Sequence, residues 1–105
     1  MTAAEKDLAL VRRVAELMGI YLDAETWRGR LVHWRDVTPY DPLTDAAQCF
    51  DVLMRMREAG AVLLMQKDGC SWMREERGSH ENAKDNTAES LRRAILECFV
   101  KGSES

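Results

Sequence analysis

No stretch of this 105-residue chain approaches the roughly 20 consecutive apolar residues that a membrane-spanning helix requires. The N-terminus is polar and then amphipathic, without the apolar core of a secretory signal. Only three cysteines are present, Cys49, Cys70 and Cys98, odd in number and far apart, with no C-x-x-C pair. That pattern fits reduced core residues of a cytoplasmic protein better than a disulfide framework. Two histidines, His33 and His80, offer no zinc-ribbon or zinc-finger spacing with those cysteines. The glycines stand alone, so there is no phosphate-cradling loop. Neither a cofactor nor a metal is expected. The net charge of −3 argues against a broad nucleic-acid footprint. Internal repeats and low-complexity segments are also missing.

What is present describes one domain with a single core. The clearest helix start is Asp41-Pro42-Leu43-Thr44-Asp45. Asp41 is placed to cap, Pro42 suits the first helical position, and Asp45 adds charge at the favourable end of the dipole. Ala46, Cys49, Phe50, Leu53 and Met56 then form one apolar stripe, so a helix is expected from Pro42 to Ala59, closed by Gly60 with positive φ. An earlier helix over Glu5–Met18 carries Leu8, Val11, Ala15 and Met18, with Gly19 as its C-terminal stop and residues 1–4 frayed. A last helix is capped by Thr87, carries Leu91, Ile95, Cys98 and Phe99, and ends at Gly102 before a disordered tail over 102–105.

Between the second and third helices, Ala61–Lys67 and Cys70–Arg77 flank Asp68-Gly69, a strong hairpin signal. A turn on those two residues sets Met65 opposite Trp72 and Leu64 opposite Met73. One face then carries Leu63, Met65 and Trp72, and the other Val62, Leu64 and Met73. Because both faces are apolar, helices are expected to cover both. A third strand is expected at Arg30–Val37, since a lone hairpin is marginal in water. Residues 78–86 read as an exposed loop. The resulting expectation is an α+β three-layer α/β/α sandwich. It has a small antiparallel sheet with helices on both faces, in the order α-β-α-β-β-α.

Four short motifs in this order resemble the phage ABA-sandwich domain family. They are Val14-Ala15-Glu16-Leu17-Met18-Gly19, Tyr40-Asp41-Pro42-Leu43-Thr44-Asp45, the tryptophan-containing hairpin, and Thr87-Ala88 running to Arg93-Ala94-Ile95-Leu96. Asp41 stands where the family most often has Asn, and both residues cap helices. The resemblance implies an α/β/α sandwich encoded by a phage or prophage, and it implies no catalytic activity.

Three function classes remain to be weighed. A cysteine nucleophile at Cys70 with His80 lacks an orienting third group, and Asp41 and Asp45 are accounted for by capping, so no catalytic residue is named. Trp27, Arg28, Arg30, Trp34 and Arg35 interleave aromatics with cations, a mixture able to stack on bases and neutralise phosphates. The bland alternative, tryptophans in the core and arginines in solvent, is favoured at this point. Met54, Met56, Met65 and Met73 gather around the second helix and the hairpin, as an adaptable contact surface or as core filler. The expected function is therefore a non-enzymatic module that binds another protein or itself. Single-stranded nucleic-acid binding through Trp27–Arg35 is the alternative, and no membrane partner is expected. An interface predicts an exposed apolar patch, nucleic-acid binding predicts exposed tryptophans beside arginines, and an enzyme predicts converging polar groups in a pocket.

Overall fold

Thr2 opens the first helix by accepting a hydrogen bond from the Glu5 N–H at 3.2 Å. Helix α1 accordingly begins at Ala3 and runs to Met18, where Gly19 takes the left-handed conformation with φ of 76°. The computed structural model describes residues 2–35, 37–60, 62–74 and 77–104. The expectations for Met1, Asp36, Ala61, Glu75, Glu76 and Ser105 fall outside those residues.

The second helix starts one turn later than the sequence suggests. Asp41 closes a turn of its own: its carboxylate accepts from the Leu43 N–H at 3.2 Å and from the Thr44 hydroxyl at 2.9 Å. Asp45, not Asp41, is the cap of α2 (Ala46–Ala59), accepting from Gln48 N–H at 3.0 Å. Gln48 fixes this arrangement. Its side chain accepts from the Asp41 N–H at 2.6 Å and donates to the Pro39 carbonyl at 3.0 Å, pinning residues 39–41 across the helix start. Gly60 closes α2 with φ of −110°, an extended conformation and not a left-handed cap. A Cβ at Gly60 would lie 2.8 Å from Trp72 Cδ1.

Three strands follow: β1 (Val62–Gln66), β2 (Gly69–Arg74) and β3 (Arg77–Asn82), antiparallel in the order β1-β2-β3. The hairpin exists, but its register differs from the expected one. Gln66 pairs with Gly69, Leu64 with Ser71, Leu63 with Trp72 and Val62 with Met73, so the turn sits on Lys67-Asp68. Gly69 is inside β2 because β3 approaches closely there: an added Cβ would lie 3.2 Å from Asn82 Cα. A shift of two residues preserves the faces, so Leu63, Met65 and Trp72 still share one side.

The α+β class and the antiparallel sheet of a hairpin plus a third strand are as expected, a small sandwich of sheet and helices. The third strand is β3, from the segment read as a loop, and not Arg30–Val37. The element order is therefore α-α-β-β-β-α. Residues 20–40 instead form a meander of single bridges, Leu22 with His33, Trp27 with Arg30 and Val32 with Pro39, interrupted at Arg28, Gly29 and Val37 by positive φ. Helix α3 (Ala88–Glu104) begins at Thr87, whose hydroxyl accepts from Ser90 N–H at 3.2 Å. It continues past Gly102, which is buried, so the expected tail at 102–104 is helix.

Helix α3 lies between the sheet and the other two helices. It packs over β2 and β3 on one side, and Arg93 reaches Asp7 of α1 at 2.6 Å on the other. Trp72 is the centre of the core. Its indole N–H donates to the Met56 carbonyl at 2.8 Å, its ring meets Phe99 at 5.8 Å, and Gly60 and Gly102 make room at its two ends. The helices thus gather on the Trp72 side of the sheet. Among the described residues, no helix buries the side of Val62, Leu64 and Met73, which corrects the expectation of helices on both faces.

Candidate interaction surface

The uncovered face of the sheet has an apolar half and a polar half. Val62, Leu64 and Met73 are 45%, 51% and 44% exposed. Val62 and Met73 are cross-strand partners, and Leu64 stands two residues along from Val62 on the same side, so the three are contiguous. Gly78, opposite Met73 on β3, lets the methionine lie across the third strand: a Cβ there would come within 2.6 Å of Met73 Sδ. The polar half is a chain of bonds from Ser71 to His80 at 2.6 Å and from His80 to Asn82 at 2.7 Å. The sequence identified these apolar residues but assigned them to a second layer of helices. Alternation of apolar residues does not show whether a face is covered or bare.

The five residues singled out in the sequence all lie on the 20–40 meander. Trp27-Arg28-Gly29-Arg30 is a two-residue hairpin, with Trp27 and Arg30 exchanging backbone hydrogen bonds at 2.8 and 3.0 Å. Positive φ at both Arg28 (52°) and Gly29 (77°) is the signature of a type I′ turn. The Arg28 guanidinium lies 4.4 Å from the centroid of the Trp27 ring, and that of Arg35 lies 5.4 Å from Trp34. Both tryptophans are about half exposed, which overturns the reading that places them in the core; Trp72 is the buried tryptophan. Trp34 and Arg35 join Ile20, Tyr21 and His33 around a groove of about 420 Å³. Tyr21, exposed on its rim, was missed because a lone tyrosine before Leu22 carries no pattern.

A second hollow of about 220 Å³ lies between α1 and residues 40–44, and Asp7, Arg30, Asp41 and Glu89 are among its lining. Two of its carboxylates already serve structure, Asp7 bonded to Arg93 and Asp41 to its own turn. Beside it Tyr40 is buried, and its hydroxyl has no hydrogen-bond partner among the described residues. Burial first, then Asp51, pushes this phenol up to about 12.

All three cysteines are free and buried. Cys70 is pushed up by its hydrogen bond to Cys98 and then by burial, and Cys49 is raised by burial to about 11. Cys98 is held down to about 7, first by its side-chain contact with Cys70 and then by the Ser79 hydroxyl at 3.3 Å, against the opposing effect of burial. Cys70 and Cys98 are both fully buried, inner packing of the sheet against α3. Among the described residues, no group of three or more His, Cys, Asp or Glu is placed to hold a metal, and no helix is long and apolar enough to cross a membrane.

No family model, curated protein or solved structure matches this chain.

Proposed function

We propose that the protein is a non-enzymatic interaction module that uses the uncovered apolar half of its sheet to bind protein. The observation that carries this reading is the contiguous exposure of Val62, Leu64 and Met73 on a face that no helix among the described residues buries. Exposed apolar groups gathered in one patch, unlike scattered ones, mark interaction surfaces. The motif resemblance adds a setting, an accessory role in the cytoplasm of a cell carrying a phage or prophage. The test is affinity capture from such cells with wild-type bait and with Met73→Lys, each with and without nuclease. A protein retained by the wild type after nuclease and lost by the variant is the expected result. Equal capture by both baits overturns the reading.

A second reading rests on a different observation. Trp27 and Trp34 are exposed, each beneath an arginine, and Arg30 stands next to the first pair. Single-stranded nucleic acid stacks on such platforms, and its affinity falls steeply with salt. Fluorescence anisotropy of labelled oligonucleotides at low and high salt, with Trp27→Ala and Trp34→Ala as controls, tests it. Binding that neither substitution weakens excludes this stretch.

A further inference from the structure

Strand order leaves β1 and β3 at the two edges of the sheet. An edge strand turns every second residue's N–H and C=O outward, a template for another strand. Gln66 and Gly69 close the two-residue loop, and such a closing pair exchanges both of its hydrogen bonds. By alternation, Leu64 and Val62 also bond inward, and the backbone groups of Leu63 and Met65 point away from the sheet. Among the described residues, no backbone hydrogen bond outside the sheet involves Val62–Gln66.

This edge lacks the protections that solvent-facing edges carry. Val62–Gln66 (VLLMQ) contains no charge and no proline. The opposite edge, β3, carries Arg77, His80 and Glu81, and Glu81 is paired with Lys101. Met65 shows the same deficit on the inner side. It lies on the Trp72 face, where side chains are otherwise packed, yet it is 44% exposed because α3 packs over β2 and β3.

We infer that β1 pairs antiparallel with β1 of a second copy of this chain, about a two-fold axis through Leu64, to make one six-stranded sheet. This rests on the reading of this part of the sheet as an interaction surface and names what pairs with its β1 edge, leaving the joined face open. The pairing is self-complementary. It sets Leu64 against the partner's Leu64, Leu63 against the partner's Met65 and Val62 against the partner's Gln66. No charge faces a like charge, and the outward amides of Leu63 and Met65 supply the hydrogen-bonded pairs. Both open faces fall on one side, joining the two apolar patches. On the helix side, each Met65 gains the cover that α3 does not give it.

Sedimentation velocity of the full chain from micromolar to near-millimolar concentration tests the pairing, with Met65→Pro and Leu64→Cys. Proline at 65 removes an outward N–H and leaves the β1–β2 bonds in place, and far-UV circular dichroism checks the fold. The expected result is a shift from the 12.0 kDa monomer to twice that mass, abolished by Met65→Pro. Glutathione disulfide should convert Leu64→Cys, but not the wild type with its buried thiols, into a covalent dimer. A wild type that stays monomeric throughout, while its capture of a protein is lost in Met73→Lys, overturns the edge pairing alone. A dimer that survives Met65→Pro and does not cross-link at position 64 overturns the edge pairing. Unchanged capture by Met73→Lys overturns the reading beneath it.

Discussion

Gly102→Ala sets helix propensity against packing. Gly102 lies within α3, and alanine there gains about 1 kcal/mol of helix propensity. Its Cβ, however, would sit 2.5 Å from Trp72 Cε3 and 2.7 Å from both Trp72 Cζ3 and Ser79 Oγ. Neither neighbour retreats easily. The far end of the indole is held by its bond to the Met56 carbonyl and abuts Gly60, and the Ser79 hydroxyl donates to the Cys98 carbonyl at 2.9 Å. Overpacking a rigid core costs roughly 1–3 kcal/mol, and this geometry belongs at the upper end. The net expectation is a loss of about 2 kcal/mol, or a fall in Tm of roughly 10 °C. Urea unfolding followed by circular dichroism reads it. In a Trp72→Phe background the smaller ring relieves the clash, so Gly102→Ala should become neutral or stabilising there, with a coupling of roughly 1–3 kcal/mol. A Gly102→Ala protein as stable as the wild type would refute the packing argument.

Four further outcomes are expected. Asp45→Ala should destabilise by about 1 kcal/mol in urea through loss of the α2 cap, and Asp41→Ala should leave the α2 cap itself intact. Val37 has φ of 59°, a strained conformation for a β-branched residue, so Val37→Gly should raise stability by about 0.5–1 kcal/mol in a thermal melt. The buried hydroxyl of Tyr40 lacks a partner among the described residues, so Tyr40→Phe should match or exceed wild-type stability at pH 7. Alkali should destabilise the protein. Cys49 and Tyr40 hold their protons longer folded than unfolded, so their contribution is full below pH 9 and is lost as pH rises toward about 11 and 12, with the Tyr40 share missing in Tyr40→Phe.

The parts that local chemistry decides were legible. Val11, Val14 and Ala15 of α1, the stop at Gly19, the cap at Thr87 and the α3 stripe follow from spacing and cap residues alone. Where two local signals compete, the answer lies in a side chain farther along: Asp41 and Asp45 are both good caps, and Gln48 chooses between them. Glycines misled for a related reason. In the sequence Gly60, Gly69 and Gly102 look like backbone devices, but each is there because Trp72 or a neighbouring strand comes too close for a Cβ. Strand β3 (RGSHEN) was invisible because its inner side is Ser79 and Glu81, held by α3 through the Cys98 carbonyl and Lys101 and not by apolar alternation. The Trp27–Arg35 stretch was identified by composition, but its exposure follows from two tight turns with positive φ that Arg28 and Val37 do not advertise.

The contrast between the two sheet edges also governs how far any assembly can extend. A protein sticky on two sides adds copies without end and forms fibres. Here one edge is neutral and apolar, and the other carries Arg77 and Glu81, with Lys101 bound to Glu81 beside it. In the pairing inferred above, strand addition at β1 uses the one uncharged edge of the sheet among the described residues, and the two-fold arrangement satisfies both partners at once. The charged β3 edges then lie at the two ends of the six-stranded sheet, so growth by strand addition ends at two chains.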